Sequence, residues 1–487
     1  MKLLRDILYS VRILEVEGST NIAVEGITLD SRKVRPNWMF VAIKGLQSDG
    51  HDFINKAIEL GADCIICEQI PSERHPHVTY VRVNDAAASL GVMAAEFYDH
   101  PSEKLKLIGV TGTNGKTTTV TLLYSLFKRM GYKTGLLSTV VNRIHNETVT
   151  ATHTTPNAIE LNALLREMVD AGCMYCFMEV SSHAVHQKRI AGVRFAGAVF
   201  TNITHDHLDY HGTFDEYLKA KKGFFDMLSA DAFALVNKDD YHGEEMVKDT
   251  KARVRTYAIK SMADFRARVV ENQFSGLQLN IDGKDLWTKL IGSFNAYNIL
   301  AVYTVARLLG QDDLTVLTQI STLNAPEGRF QYVKSSNDIT AIVDYAHTPD
   351  ALKNVLNTIR DIRTGNEKVI TVVGCGGDRD KGKRPLMAGI ACELSDKVII
   401  TSDNPRSEEP EAIIMDMMKG VESDQTRKVM SITNRREAIR AACMMAQPGD
   451  ILLIAGKGHE KYQEIKGERQ HFDDLEEVQN CFKLIGS

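Results

Sequence analysis

Lys116 and Thr117 end a glycine-rich run, Leu107-Ile-Gly-Val-Thr-Gly-Thr-Asn-Gly-Lys-Thr-Thr-Thr119, that leads from an apolar stretch into one whose Val120, Leu123, Phe127 and Met130 share a helical face. That order of strand, turn and helix suits phosphate binding: glycines let backbone N–H groups close on phosphate oxygens, Lys116 supplies a cation for the β- and γ-phosphates, and the Thr117 hydroxyl can ligate Mg²⁺. The general G-x-x-x-x-G-K-[ST] pattern wants Gly where this chain has Val110. Gly109 and Gly112 stand one place before it and two places after.

Two later segments carry hard ligands just after apolar runs. They are Glu179-Val-Ser-Ser-His-Ala184 and Thr201-Asn-Ile-Thr-His-Asp-His-Leu-Asp-Tyr-His-Gly212. Beside a phosphate loop, Glu179 and residues among Asp206, His207, Asp209 and His211 make a magnesium site, because Mg²⁺ favours one or two protein ligands completed by phosphate oxygens and water. Either segment alone reads as an ordinary strand end or a solvated loop.

The elements that must position these groups follow an α/β pattern. Short strands at 38–43, 64–67 and 78–83 alternate with a helix at 86–98, and the polar segment 99–104 reads as a linker. Strands at 107–110, 176–180 and 197–203 predict a mostly parallel central sheet. Strands at 368–373, 397–401 and 451–455 alternate with helices at 385–394, 411–418 and 436–445. They predict a Rossmann-like, doubly wound unit with ligands at the carboxyl ends of its strands. At 487 residues the chain exceeds one hydrophobic core, and three units are expected, over residues 1–102, 103–332 and 333–487.

With 44% hydrophobic and 25% charged residues the composition is that of a globular protein, and a net charge of −5 gives no general attraction to nucleic acid. The opening Met1-Lys-Leu-Leu-Arg-Asp6 and the lack of any run of ~20 apolar residues predict a cytoplasmic protein without membrane insertion. A monomer is expected. Two C-x-x-C pairs, Cys64/Cys67 and Cys173/Cys176, lie in apolar runs read as buried strands, where residues three apart face opposite ways and cannot chelate one ion. They read as small core residues.

In order along the chain stand Thr111-Gly-Thr-Asn-Gly-Lys-Thr-Thr118, Glu179-Val-Ser-Ser-His183, Asp206-His207, Asn295-Ala-Tyr-Asn298, Gly328-Arg329, Asp344-Tyr-Ala-His347 and Asp403-Asn-Pro-Arg406. Through these motifs nearly the whole chain resembles the Mur ligases, ATP-dependent amide-forming enzymes of peptidoglycan synthesis whose loop departs from the general pattern in the same way. The resemblance implies three domains that hold a uridine nucleotide, ATP and an incoming amino acid. It makes Thr111, Gly112, Thr113, Asn114, Gly115, Lys116, Thr117, Thr118, Asn295, Arg329 and Asp344 nucleotide contacts. Lys116, His207 and Lys221 become catalytic, with Thr117, Glu179, His207 and a carbamylated Lys221 around Mg²⁺. Without the resemblance Lys221 reads as one solvated charge of the run 219–222. Leu29, Ser31, Leu46, Gln47 and Ser48, with His153, Thr154, Thr155, Ser181, Gln187 and Arg189, would hold UDP-N-acetylmuramoyl-L-alanyl-D-glutamate. In isolation Ser31 or Thr154 reads as a turn or cap residue.

Within the family, Asp-Asn-Pro-Arg marks members that add meso-diaminopimelate, and Arg379, Asp403, Asn404, Pro405, Arg406, Gly456 and Glu460 would line that pocket. The physical reason is that a guanidinium pairs in two parallel hydrogen bonds with the distal carboxylate that lysine lacks. The same Arg406 would meet a distal ammonium as like charge. The rival readings are a lysine-adding relative, a folylpolyglutamate synthase, and a nucleotide-gated binding protein without catalysis. His347 is given no base role, and Gly374-x-Gly376 fails as a dinucleotide fingerprint because Arg379 stands where its third glycine belongs.

Overall fold

The computed structural model describes residues 1–45, 48–151 and 153–485. Three sheets organise three α/β units. The first holds, in spatial order, Ile13–Glu17, Thr79–Val83, Ala62–Cys67, Trp38–Val41 and Gly26–Thr28, parallel except at the Ile13–Glu17 edge. Helix Ala86–Phe97, capped by the Asp85 carboxylate on the Ala88 N–H, covers one face. Strand alternation separates Cys64 and Cys67 into apolar clusters on opposite faces. Cys173 departs from expectation, because it lies in the connection before strand Tyr175–Glu179 and shares a cluster with Cys176. The expected linker begins with Asp99 and His100 in the left-handed region (φ 62° and 47°) and continues as a short 3₁₀ turn.

In the central sheet, Thr134–Leu137, Tyr175–Glu179, Lys106–Thr111, Gly197–Phe200, Phe233–Asn237 and Arg253–Ala258 run parallel in that order. Lys106–Thr111 thus lies between the strands ending in Glu179 and Phe200, so the phosphate loop, the acidic residue and the 201–207 segment emerge side by side. This is the ligand-binding edge of an open α/β sheet. An antiparallel meander, Phe265–Gln273, Gly276–Ile281 and Lys284–Thr288, extends one end, and Asn142–Ile144 and Glu147–Val149 extend the other. The sheet is therefore more mixed than its parallel core suggested. The meander's alternation puts Leu277, Leu279 and Ile281 inward and leaves much of Phe265–Gln273 open to solvent.

The third sheet runs Gln331–Lys334, Thr340–Asp344, Ile451–Ala455, Val369–Cys375, Lys397–Ser402 and Val429–Ser431, parallel except at its first edge. Asp344, Gly376, Asp403 and Gly456 all lie at the carboxyl ends of its parallel strands, as the doubly wound pattern predicted. Two buried arginines brace this unit. Arg435 meets the Asp474 carboxylate at 2.7 Å from both Nε and Nη2, and Arg384 donates to Glu408 and Asp416.

Candidate active site

A cleft of about 890 Å³ lies between the central and third units. Helix Lys116–Arg129 opens on it with no side-chain cap, so its first N–H groups and the positive end of its dipole remain available to an anion. Gly115 precedes that helix at φ 87°, and a Cβ there would lie 2.6 Å from Asn298 Oδ1. Gly112 (φ 152°) lies so close to Thr201 that a Cβ would fall 1.9 Å from its hydroxyl. The departure at Val110 is explained in the same terms: residue 110 is still inside the strand, fully buried, and the turn begins only at Gly112.

Lys116 Nζ donates to the carbonyls of Gly112 and Thr113, both at 2.9 Å. Burial pushes its amine below the ordinary lysine range, while Glu179 and Asp206 pull it back. Glu179 is 1% exposed, with Oε1 accepting from the Thr139 N–H at 2.8 Å and Oε2 from the Thr139 hydroxyl at 3.2 Å. Thr139 went unnoticed in the sequence, where its only signal is a hydroxyl two places after strand Thr134–Leu137. His207 sits in the left-handed region at φ 55°, a costly conformation for a bulky residue. Burial in the cleft pushes its imidazole down to about 3, leaving a neutral ring with a lone pair to offer. Neighbouring Asp206 stays ionised: burial opposes its charge, but His207, His347, Lys383 and Lys116 outweigh burial.

Lys221 is not a solvated charge. Helix Phe214–Asp226 buries Tyr217, Ala220, Lys221, Phe224 and Phe225 along one face, whereas Lys219 is exposed and Lys222 pairs with Asp226 and Asp249. That spacing was readable in the sequence. At 1% exposure, Lys221 Nζ donates to the Gly112 carbonyl at 2.9 Å, and burial together with Lys116 holds its pKa well below the lysine range.

Thr113 to Thr118 line the cleft, whereas Thr111 is fully buried in its strand and Gly112 turns beneath the loop. Arg329 Nη2 donates to the Thr117 hydroxyl at 3.2 Å across the two units, and its guanidinium lies 4.5 Å over the Tyr345 ring. Asp344 accepts from the Phe330 N–H at 2.6 Å, and burial pushes its carboxyl up to about 6. Asn295 does not face the cleft: it is buried in helix Ser293–Leu308, donating to the Ile291 carbonyl and accepting from Asn298. Asn298, one turn further on, is the member of its motif that reaches the loop. His347 lines the cleft with Nδ1 donating to the Tyr345 carbonyl at 3.0 Å, and burial pushes it down to about 4.

Of the residues expected around the sugar-peptide, His153, Thr154, Thr155, Ser181 and Arg189 line the cleft. Thr155 and Ser181 are also spent on structure, Thr155 bridging the Glu179 carbonyl and the Ser181 N–H, and Ser181 capping a short helix. Gln187 stays behind Arg189, accepting from its Nε and Nη2 and so aiming it. Leu29 belongs to a separate cavity of about 530 Å³, between Arg32, Arg35 and Trp38 on one side and Asn157 and Glu160 on the other. Ser31 is buried as the first residue of a 3₁₀ turn, and Ser48 is exposed and accepts from the Gly45 N–H through its carbonyl. Neither lines that cavity. Leu46 and Gln47 lie outside the described residues.

The third unit's side of the cleft is built around charge. Arg406, at φ 52°, donates from Nη1 to the Gly377 carbonyl at 2.6 Å, and its backbone is pinned to the hairpin of Tyr462–Ile465 and Glu468–His471 through Glu464 and Lys466. A Cβ on Gly376 would lie 2.9 Å from that guanidinium, so the glycine makes room for it. Arg379 is exposed on the cleft wall. Lys457, fully buried, donates to Asn404 Oδ1 at 2.9 Å and meets Asp403 and Glu460 at 3.4 Å, while Asn404 Nδ2 donates to Glu460 at 2.7 Å. Asp403 stays ionised although burial opposes it, because Lys457, Arg435 and Arg406 dominate. Glu460 is pushed up by burial and by Asp403. Gly456, at φ 118°, lies against the Asp403 carboxylate. Pro405 does not line the cleft, because its backbone packs beneath Gly377. Sequence reasoning passed over Lys457, whose signal was a lysine between two glycines directly after strand Ile451–Ala455.

Family models match in the same order along the chain: "Mur ligase family, catalytic domain" over residues 23–98, "Mur ligase middle domain" over 110–306, and "Mur ligase, glutamate ligase domain" over 328–458. The chain is 56% identical to a UDP-N-acetylmuramoyl-L-alanyl-D-glutamate–2,6-diaminopimelate ligase of Cytophaga hutchinsonii, covering 99% of both chains. It is 54% identical to one of Phocaeicola vulgatus, covering 98% of this chain and 99% of that one. A solved structure of a ligase with the same name aligns with a TM-score of 0.71 at 32% identity, over 100% of this chain and 99% of that one. With three family models matched in order and relatives alike from end to end, this chain belongs to the Mur ligase family.

Proposed function

We propose that the chain joins meso-diaminopimelate to UDP-N-acetylmuramoyl-L-alanyl-D-glutamate, at the expense of ATP and through an acyl phosphate. The observation that carries this reading is one cleft with a phosphate loop on one wall and, on the other, a pocket of two arginines facing a carboxylate pair. By extension, residues 1–102 hold the uridine nucleotide, 103–332 the ATP and 333–487 the amino acid. The names and identities of the relatives support the choice of substrates.

The residues fit a magnesium ion. The Glu179 carboxyl is buried with no ion-pair partner among the described residues, His207 is neutral, and both line the cleft with Lys116 and Thr117. Two protein ligands suffice for an Mg²⁺ ion that is completed by phosphate oxygens and water. When bound, Mg²⁺ offsets charge on the phosphates. Lys116 and the open end of helix Lys116–Arg129 do the same from the protein side. Thr117 Oγ1 accepts from Arg329 with one lone pair and has a second that would serve a metal. A neutral Lys221 amine is the form that adds CO₂, making an N–C bond and losing a proton, and the resulting carbamate would be an anion beside the metal.

In the reaction, an oxygen of the D-glutamyl side-chain carboxylate attacks the γ-phosphorus and the bond to ADP breaks. The amine of diaminopimelate then attacks the acyl carbon, the C–O bond to phosphate breaks, and the amine proton leaves. In this reading Asp403 and Glu460 take the ammonium groups of the amino acid, and Arg379 and Arg406 a carboxylate. The cleft walls limit water around the acyl phosphate.

The test is phosphate release and product mass with ATP, Mg²⁺ and the uridine substrate, with meso-diaminopimelate or L-lysine supplied in parallel. Turnover with diaminopimelate alone is expected. Turnover with lysine alone would keep the family and overturn the role of Arg406, and silence with both would favour binding without ligation.

A further inference from the structure

Helix Pro349–Ile362 begins the third unit's first crossover, and its second residue, Asp350, reaches the central unit. Asp350 Oδ2 accepts from Asn114 Nδ2 at 2.9 Å, from Asn354 Nδ2 at 3.1 Å and from Thr204 Oγ1 at 3.4 Å. Two of those donors belong to the central unit, and Asn114 is in the phosphate loop itself. The backbone of Asn114 is committed inside its own unit. Its N–H donates to Asn202 Oδ1 at 2.9 Å, and its carbonyl accepts from Thr201 Oγ1 at 2.6 Å and Asn202 Nδ2 at 3.1 Å. Only its side chain crosses the cleft. The helix, for its part, has another cap, the Thr348 hydroxyl accepting from the Ala351 N–H at 3.3 Å.

We infer that Asp350 is a positioning residue, fastening the unit that carries the amino-acid pocket to the phosphate loop. It touches no reacting atom. A charged acceptor shared by donors from both units is stronger than a neutral one and has a defined direction, so it sets the placement of helix Pro349–Ile362 against the loop. With it are set Asp344 and the strands that bear the amino-acid pocket. The inference leans on the proposed ligase reaction only for its kinetic consequence, since the fastening itself can be read without substrates.

The test places spin labels on the full chain at Tyr241→Cys and Met444→Cys. These positions are 93% and 71% exposed, lie in the central and third units, and do not line the cleft. The eight native cysteines are buried. A single narrow distance distribution is expected for the labelled parent and for Asp350→Asn, whose amide oxygen still accepts from Asn114. Broadening is expected for Asp350→Ala and for Asn114→Ala, with no further broadening in the double variant. If Asp350→Ala fails to fold, Asn114→Ala carries the same test. In the ligation assay Asp350→Ala should raise the KM for ATP and for diaminopimelate about fivefold or more and leave that of the uridine substrate unchanged. A loss of folding alone would not produce that split. Unchanged distributions in both alanine variants overturn the inference even if ligation proceeds, whereas broadened distributions in a chain that ligates nothing sustain it and fault the proposed reaction instead.

Discussion

Lys116, half-buried on one wall of the cleft, and Lys457, fully buried behind the other, are held by different means. Lys116 hydrogen-bonds only carbonyl oxygens, so its positive charge is oriented without a hydrogen-bonded counter-ion and faces the space where phosphates would bind. Lys457 meets Asp403, Glu460 and Asn404, so its charge is used up in fixing their positions. The difference separates two uses of a lysine drawn into the protein. One is a binding group whose removal costs chemistry, and the other is a scaffold whose removal leaves uncompensated carboxylates.

The largest effect should come from Lys116→Met, which is expected to lower kcat/KM by about a thousandfold or more while leaving the denaturation midpoint nearly unchanged. Steady-state kinetics and a urea melt on the same preparation check both halves. Lys457→Met should do the reverse, costing about 3–5 kcal/mol of stability in the urea melt because one partner of a buried ionic cluster has gone. Equal stability losses in the two variants would erase the distinction between the lysines. Next in size, Arg406→Ala should cut kcat/KM for diaminopimelate by about 10- to 100-fold, the worth of a charge-assisted pair, with the KM for ATP unaffected. The smallest effect is electrostatic. Asp344 is pushed up to about 6 by burial, so the folded state holds its proton more tightly than the unfolded chain. Its contribution is full below the unfolded value and is lost as pH rises from about 4 through about 6. Asp344→Asn should flatten that part of the stability–pH curve, and an unchanged slope would count against the burial.

The same contrast explains what could be read from the sequence. The phosphate loop was legible because one contiguous run supplies the strand, the turn glycines, the cation and the helix. The doubly wound third unit was legible because its parallel strands are continuous apolar runs such as Ile451–Ala455, and Arg406 stood out through the Asp403-Asn-Pro-Arg406 motif of the resemblance, which comes just after strand Lys397–Ser402. Thr139, Asp350 and Lys457 were given no role, and Asn298 was passed over for Asn295 of its motif, since each acts on a residue far along the chain: Asp350 is 236 positions from Asn114, and Lys457 is 53 from Asn404. Asn295, Pro405 and Ser31 lie in motifs that do reach a cavity but turn inward themselves, a choice set by packing that no local pattern records. The meander 265–288 escaped because much of its edge strand is solvent-facing and carries little hydrophobic signal.

The central claim is that a carboxylate activated on one wall is captured by an amine held on the other, through an acyl phosphate. The most direct test is to label the D-glutamyl side-chain carboxylate of the uridine substrate with ¹⁸O, run one round of ligation with meso-diaminopimelate, and weigh the inorganic phosphate. The oxygen that attacks the γ-phosphorus stays with it when the C–O bond breaks, so one ¹⁸O should appear in the phosphate released per amide formed. Amide formation with unlabelled phosphate would contradict the account.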